Sequence, residues 1–364
     1  MATPQFPDDF KCPISLEIMT DPVILSSGHT FDRSSIQRWI DSGNRICPLT
    51  KQTIPQNFTL IPNHALRSLI SNYTLCSPQQ NPEPQTLVST LSSKTSSFES
   101  KLDSLSQLNR LCKKSPVFRQ RVMEYGAVSA VLSCVGSENA SLKELALALL
   151  LNLSLDDDNK VGLVAEGAIG RVVGALRGGN SSCRAYAATM LTSLAMVEVN
   201  KGTIGAYPFA IRTLVSLLRD GKAREKKEAA TALYVLCSFP DNKKRVVESG
   251  AVPILIEMAD SGVERAVEVL GLLAKCWEGR EEMGRVDGCV PILVQVLRNG
   301  SSRSVVNALS TMNSLCCYDE EVGLDVMRQG GLEICLGLVE DENEKISGNA
   351  SALIQTLRRY RLRG

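Results

Sequence analysis

The sequence predicts a small α+β module followed, after a linker, by a long all-α solenoid of helical repeats. Short apolar runs and turn residues alternate before residue 76, whereas Leu, Ala and Val at helical spacing dominate from about residue 101. Beyond residue 101, a pair of sequence anchors recurs about every 42 residues, which is typical of stacked helical repeats. We therefore expect three segments: residues 1–76, 77–100 and 101–364.

The first module begins with KCPISLEIMTDPVILSSGHTFDR, residues 11–33. Pro22 opens an apolar strand, a Ser-Ser-Gly turn follows, and Thr30 begins the returning strand, so a hairpin is predicted. Asp32 is placed to cap a helix through RSSIQRWIDSG, whose apolar residues share one face. After the loop NRICPLTKQTIPQ, Asn63 is placed to cap a last amphipathic helix.

The outline of this module suggests a zinc-binding fold, but most of the ligands are absent. Two four-coordinate zinc ions need eight Cys or His ligands. Residues 1–76 offer five and no Cys-x-x-Cys pair: Cys12, His29, Cys47, His64 and Cys76. We therefore expect no metal, and we interpret Cys12 and Cys47 as small buried residues and His29 as a turn residue.

The second segment, SPQQNPEPQTLVSTLSSKTSSFES, is rich in Ser, Pro, Gln and Thr. This composition is typical of a flexible linker, and a coil of this length would span roughly 25–30 Å.

Two anchors divide the third segment into about six to seven units. The first anchor recurs at Gly126, Gly167, Phe209, Gly250, Gly288 and Gly330, in steps of 41, 42, 41, 38 and 42 residues. The second, a late leucine, recurs at Leu111, Leu153, Leu194, Leu236, Leu273, Leu315 and Leu357. The unit from Gly250 to Leu273 is four residues shorter than the others, and we expect the loss in the loop before its last helix. This period indicates an armadillo or HEAT solenoid, whose stacked helices form an extended concave binding surface.

The quoted residues carry two resemblances. CPISLEIMTDPVILSSGHTFDRSSIQRWI, followed by CPLT and IPNHALRSLI, resembles the U-box, the zinc-free relative of the RING finger, from about Phe6 to Tyr73. Residues 101–358 resemble the armadillo family, which implies a right-handed solenoid. The combination is similar to a family of plant ubiquitin-protein ligases.

The U-box resemblance implies a docking site for a ubiquitin-conjugating enzyme. The corresponding positions are Ile14 and Leu16 in the first loop, Trp39 on the helix and Pro48 in the second loop. Two aliphatics, a Trp and a Pro can also form an apolar patch with a polar rim, although large apolar residues are more often core. Lys51 matches a cation that contacts ubiquitin and its carrier, and the alternative is an ordinary solvated lysine.

In place of metal, the resemblance implies hydrogen bonds and ion pairs. The local candidates for these are Glu17, Asp21, Asp32, Arg33 and Arg45.

The armadillo resemblance implies that the last helix of each unit lines a groove for substrate. Arg110, Asn152 and Ser193 precede late leucines and mark that helix, with packing or solvated roles as the alternative. Only Asn152 fits the Asn-and-Trp ladder of a nuclear-import receptor, so we do not expect import function.

Amino-acid composition restricts the classes of partner and the cellular compartment that we expect. With 40 basic and 39 acidic residues the net charge is +1, which gives no global attraction to nucleic acid or membranes. Twelve scattered cysteines, several inside apolar helical stretches, favour buried thiols over disulfides and therefore a reducing compartment, the cytoplasm or also the nucleus. We find no pattern for a signal peptide, a membrane span, a phosphate-binding loop or a cofactor.

The resemblance to this family implies a ubiquitin-protein ligase without a covalent ubiquitin intermediate. Its U-box would dock a conjugating enzyme charged with ubiquitin, and its repeats would hold an unknown protein substrate. One alternative is a non-catalytic armadillo adaptor. Another is a ligase that passes ubiquitin through Cys47 or Cys12, although nothing in the sequence beside them resembles a base.

Overall fold

The computed structural model describes residues 7–55, 58–76 and 83–361, without the side chains of residues 71–76 and 361. The backbone divides into two compact units, Met1–Ser89 with Arg110–Tyr125, and Thr90–Asn109 with Gly126–Gly364. No described helix is long and apolar enough to cross a membrane. The described cysteines are all free, and most of them are buried.

A three-stranded antiparallel sheet and two helices form the N-terminal module. Its elements are a 3-10 helix Asp8–Phe10, β1 Pro22–Ile24, β2 Thr30–Asp32, α1 Arg33–Asp41, β3 Ile61–Pro62 and α2 His64–Cys76. The strand order is β2-β1-β3, with Val23 opposite both Phe31 and Pro62. The predicted hairpin and both helices are confirmed, while β3 was not predicted. Asn63 caps α2 as expected, because its Oδ1 accepts the Leu66 N–H at 3.0 Å.

The core of this module lies between the sheet, α1 and the loops. It contains Val23, Phe31 and Ile36, all fully buried, together with Cys12 and Cys47. The interpretation of these two cysteines as small buried residues is therefore confirmed.

The prediction of a flexible linker over residues 77–100 is wrong where the structure describes this segment. Pro84–Ser92 form helix α3, in which Leu87, Val88 and Leu91 are buried. The apolar residues of α3 are few, so the Ser- and Thr-rich composition around them hid the helix. Residues 77–82 lie outside the described residues, and the segment boundaries near 76 and 101 stay predictions.

A long helix, α4 Phe98–Lys114, precedes six repetitions of a three-helix pattern. The first helices are α5 Pro116–Glu124, α8 Asp157–Ala165, α11 Glu198–Ala206, α14 Pro240–Glu248, α17 Trp277–Arg285 and α20 Glu320–Arg328. The second helices are α6 Ala127–Val135, α9 Ala168–Gly178, α12 Ala210–Asp220, α15 Ala251–Asp260, α18 Cys289–Asn299 and α21 Gly331–Leu338. The third helices are α7 Ala140–Leu153, α10 Ser181–Leu194, α13 Ala223–Leu236, α16 Glu264–Leu273, α19 Ser302–Tyr318 and α22 Glu344–Arg361.

Both predicted anchors have a structural role. Each residue before a second helix adopts the left-handed conformation, with φ between 66° at Phe209 and 88° at Gly288. Glycine takes this conformation without strain, whereas Phe209 takes it at a steric cost. The seven late leucines are all buried, which confirms them as core.

Buried asparagines tie the first helices α11 and α14 to the preceding repeat. Asn200 donates to the carbonyl of Leu194 at 2.9 Å, and Asn242 donates to that of Leu236 at 3.1 Å and to that of Lys201 at 2.9 Å. The carbonyls of Leu194 and Leu236 are the last of α10 and α13, where the helix itself offers no donor. The asparagines therefore stabilise the tight connection between repeats, a role that was not predicted from the sequence.

The expected loop deletion in the short unit is also wrong. Helix α16 has 10 residues, against 14 in α13, whereas the connection before α16 is no shorter than its counterpart before α13. Four residues make about one helical turn, so their loss shortens the helix while its apolar face keeps its orientation.

Candidate functional site

Two loops of the N-terminal module, each built around a Cys-Pro pair, share one hydrogen-bond pattern. We define loop 1 as residues 11–18 and loop 2 as residues 46–53. In loop 1 the Cys12 N–H donates to the Glu17 carbonyl at 2.7 Å, and the Leu16 N–H to the Cys12 carbonyl at 2.8 Å. An isolated bridge between Lys11 and Ile18 closes the loop.

Loop 2 repeats this arrangement residue by residue. The Cys47 N–H donates to the Gln52 carbonyl at 2.8 Å, the Lys51 N–H donates to the Cys47 carbonyl at 3.0 Å, and Ile46 bridges Thr53. Leu16 and Lys51 occupy the same position in the two loops, and both adopt left-handed conformations, with φ of 59° and 61°. By the same correspondence, Leu49 in loop 2 matches Ile14 in loop 1.

The predicted site residues differ in exposure. Leu16 is 73% exposed, whereas Ile14 and Trp39 are half-buried and pack against the module core. Pro48 is half-buried, and Lys51 is exposed with its Nζ donating to the Pro48 carbonyl at 3.0 Å. The structure also exposes Leu49 and Ile46 of loop 2, which were not among the predicted site residues.

Trp39 connects the helix to loop 2. Its indole Nε1 donates to the Ile46 carbonyl at 2.9 Å, while its ring packs against the core. The residue therefore has a structural role in holding loop 2, whatever else it contacts.

Asp32 ties loop 1 and β1 to helix α1. Its Oδ1 accepts the backbone N–H groups of Thr20 at 2.8 Å and Asp21 at 2.9 Å, and its Oδ2 accepts the Ser34 hydroxyl at 2.8 Å. The Asp32 N–H donates to Cys12 Sγ at 3.3 Å. Asp32 precedes α1 as predicted, but its carboxylate does not accept a backbone N–H of that helix.

Asp21 is the centre of an ion-pair cluster. It accepts Arg33 Nε at 2.8 Å and also pairs with Arg67 of α2, which was not among the predicted partners. Of the other proposed residues, Glu17 and Arg45 contribute backbone carbonyls, to Cys12 and Ile54. Polar contacts thus join the loops, the sheet and both helices.

The two loop thiols are fully buried. Burial alone would raise the pKa of Cys47, but hydrogen bonds from Ser27, Thr50 and Leu49 lower it to about 7. Burial likewise opposes the lowered pKa of Cys12, which backbone N–H groups including that of Asp32 produce. His29 lies in the hairpin turn, with Nδ1 3.0 Å from the Ser27 carbonyl. Among the residues that the structure describes, no group of three His, Cys, Asp or Glu side chains could hold a metal ion.

The proposed groove markers make contacts along the third helices. Asn152 Nδ2 donates to Asn109 Oδ1 at 2.8 Å, and Ser193 Oγ lies 2.8 Å from Ser154 Oγ, so Asn152 contacts α4 and Ser193 contacts the preceding repeat. Arg110 is exposed near the end of α4. The contacts of Asn152 and Ser193 favour packing roles, and the assignment of all three to a groove stays a prediction.

Comparison with known families gives two matches. Residues 6–77 match the U-box domain, and residues 85–359 match the family described as the plant U-box protein ARM repeat region.

Several plant proteins are similar over most of this chain. U-box domain-containing protein 8 from Arabidopsis thaliana is 59% identical over 362 residues, covering 96% of this chain and 97% of that protein. E3 ubiquitin-protein ligase PUB23 from the same plant is 30% identical, over 84% of this chain and 82% of its own length. U-box domain-containing protein 16, also 30% identical, is longer, and the match covers 49% of it.

Among solved structures, the crystal structure of an engineered protein matches with a TM-score of 0.69 at 20% identity. The match covers 76% of this chain and 68% of that one, and it shows the fold alone.

Proposed function

This chain belongs to the plant U-box proteins with an armadillo repeat region, a family of ubiquitin ligases, and we propose that loops 1 and 2 of its U-box dock a ubiquitin-conjugating enzyme charged with ubiquitin. The conjugating enzyme carries ubiquitin as a thioester on its own cysteine. The U-box positions that thioester for attack by a lysine of a protein held by the armadillo repeats. The rate gain comes from proximity and from a restricted geometry of the thioester.

The observation that carries this proposal is the exposure of apolar side chains on the two matching loops. Leu16 at 73% and Leu49 at 48% project from loops that many backbone hydrogen bonds hold in place. Exposed apolar residues in a rigid setting, with polar neighbours around them, are typical of a protein-docking hot spot. Preorganised loops also lower the entropy lost on binding.

Lys51 belongs to loop 2, two residues after the exposed Leu49. Its left-handed backbone and its bond to the Pro48 carbonyl hold the ammonium beside loop 2. A cation at that position can contact carbonyl or carboxylate oxygens of ubiquitin and of the conjugating enzyme at once, which would restrict the motion of the thioester.

The buried thiols argue against transfer through this chain's own cysteine. A transthiolation needs the attacking sulfur in contact with the thioester carbonyl, and both Cys12 and Cys47 are shielded from solvent. The lowered pKa of Cys47 reflects the hydrogen bonds that hold the loop, since the sulfur has no open path to a partner.

The test is ubiquitination by the full chain with activating enzyme, ubiquitin and a panel of conjugating enzymes. Leu16→Ala removes a largely exposed side chain, so folding stability changes little while ubiquitin transfer falls about five- to hundredfold. Leu69→Ala is the matched control, because Leu69 is 56% exposed on α2, outside both loops. Ile14→Ala is also expected to reduce transfer, but Ile14 packs against the core and its loss costs stability as well.

Three outcomes would contradict the proposal. Transfer by Leu16→Ala equal to that by wild type removes the docking role of loop 1. Absence of transfer with every conjugating enzyme, with binding to a partner retained, identifies an adaptor. A ubiquitin adduct on the chain that a reductant removes identifies a cysteine relay.

A further inference from the structure

Four consecutive third helices place a basic residue at the same point. Arg224, Arg265, Arg303 and Lys345 are each the second residue of α13, α16, α19 and α22. These helices pack directly on one another in order. Arg224, Arg303 and Lys345 each precede the late leucine of their unit by 12 residues, and Arg265 precedes its own by 8 because α16 is one turn shorter. We call these four residues the cation ladder.

Three members of the ladder reach back to the preceding third helix. The Arg224 guanidinium lies over the Tyr186 ring at 5.0 Å, and that of Arg265 lies over Tyr234 at 4.6 Å. Arg303 Nε lies 3.5 Å from Glu268 Oε1. Each contact restricts a long side chain, so these cations are partly ordered before any ligand arrives.

A groove of about 610 Å³ lies over the C-terminal half of the ladder. Its lining side chains are polar or aromatic with one Val, and they include Arg265, Arg303 and Lys345. The one carboxylate that lines it, Glu268, is 7% exposed, whereas Arg265 is 31% and Arg303 is 68% exposed. The exposed charges that line the groove are therefore cationic, while the exposed carboxylates of Glu264 and Glu344 lie next to it in sequence and are not among the lining residues.

Glu268 has a positioning role in this groove. Its carboxylate pairs with both Arg265 and Arg303 and leaves other N–H groups of each guanidinium available. A guanidinium held in this way presents a planar pair of donors that matches a carboxylate.

We propose that the cation ladder binds an extended acidic segment of a protein. Packed helices lie about 8–10 Å apart, and an extended chain in the polyproline II conformation advances about 3.1 Å per residue with three residues per turn, so every third side chain points to the same side and faces one cation. The preferred ligand therefore has carboxylates about three residues apart over roughly ten residues. This inference rests on the proposed function, because it names the class of segment that the armadillo repeats would hold for ubiquitination.

A protein segment fits this surface better than a single-stranded nucleic acid. Binding of bases needs aromatic faces on which to stack, and here Arg224 and Arg265 each cover one face of Tyr186 and Tyr234. The spacing of the cations instead suits side chains that reach them singly.

The test measures binding of a fluorescent peptide of about ten residues, with Glu at every third position, to the full chain. The ladder variant is Arg224→Gln with Lys345→Gln, which leaves Glu268 with both of its arginines. Its binding is expected to be about tenfold weaker, from two exposed charge contacts. The control, Arg171→Gln with Arg219→Gln, removes the same charge from the second helices α9 and α12 and is expected to bind like wild type.

Three results would overturn the inference: equal affinity for the same peptide with Gln in place of Glu, equal weakening in the ladder and control variants, or tighter binding of a single-stranded RNA of the same charge. Thermal unfolding of each variant shows that it is folded. Ubiquitin chain formation by wild type without peptide is measured separately, so that failure of ligase activity and failure of the ladder are distinguishable.

Discussion

Replacement of Asp32 tests whether polar contacts hold the U-box together where a RING finger uses metal. The Asp32 side chain is buried, and its carboxylate accepts two backbone N–H groups and two hydroxyl groups, from Thr20, Asp21 and Ser34. Asp32→Ala leaves the two backbone donors without an acceptor. A hydrogen bond to a charged acceptor contributes about 1.5–3 kcal/mol, so the loss of these two lowers the free energy of unfolding by about 3–5 kcal/mol.

Asp32→Asn removes the negative charge of the side chain but keeps an oxygen that can accept hydrogen bonds. The amide oxygen can still accept the Thr20 and Asp21 N–H groups, so we expect a smaller loss of about 1–2 kcal/mol. Urea unfolding is followed by the fluorescence of Trp39 in a Trp277→Phe background, because these are the two tryptophans of the chain. With an m-value of about 2 kcal/mol/M, the midpoint for Asp32→Ala shifts down by about 2 M.

Asp41→Ala is the matched control, since Asp41 is exposed at the end of α1, the helix that Asp32 precedes, and contacts Gln37. Its effect on the free energy of unfolding is expected to stay within about 0.5 kcal/mol. If Asp32→Ala unfolds at the same urea concentration as Asp41→Ala, the carboxylate does not hold the module and the reasoning is wrong.

Three further predictions concern other contacts. Glu225 is buried, which alone would raise its pKa, but hydrogen bonds from the Lys222 N–H and Arg184 hold its pKa below the ordinary value of about 4.5. A carboxyl group whose pKa is lowered by folding stabilises the protein at pH values above its unfolded pKa, and this stabilisation is lost as the pH falls through the folded pKa. In urea titrations, wild type is therefore expected to be more stable than Glu225→Gln at pH 7, and the difference shrinks as the pH falls below about 4.5. Phe209→Gly removes the steric strain of a bulky residue in the left-handed conformation and loses the contact between the Phe209 ring and the Arg177 guanidinium. The free energy of unfolding is therefore expected to rise by about 0.5–1 kcal/mol, and a lower melting temperature would contradict this. Trp39→Phe removes the hydrogen bond to loop 2, which costs about 1 kcal/mol and weakens binding of the conjugating enzyme in calorimetry; unchanged affinity would show that loop 2 needs no such support.

Features that repeat or follow local rules could be predicted from the sequence. The glycine anchors are visible because a left-handed turn recurs in every unit, and even Phe209 could be placed by its register. The hairpin and the Asn63 cap follow from turn and capping preferences of neighbouring residues. The burial of Cys12 and Cys47 follows from the missing ligands.

Features that depend on packing could not be predicted in this way. Helix α3 has too few apolar residues to stand out from its Ser- and Thr-rich surroundings. Arg67 is 46 residues from Asp21, and no local pattern joins them. The sequence does show the Cys-Pro pairs at 12 and 47, and aligning the two loops on them would have pointed to Leu49. The sequence also shows the cation ladder, because its residues keep a fixed distance from the late leucines in three of the four units. Their contacts with Tyr186 and Tyr234, however, arise only from the stacking of repeats.

The most direct test of the central claim is a single-turnover discharge assay. A conjugating enzyme charged with ubiquitin is mixed with free lysine, and loss of the thioester is followed with and without the full chain. We expect wild type and Leu69→Ala to accelerate the discharge, Leu16→Ala to lose most of this acceleration, and no ubiquitin to become attached to Cys12 or Cys47. Equal acceleration by Leu16→Ala and wild type, or a reducible ubiquitin adduct on the chain, would contradict the account.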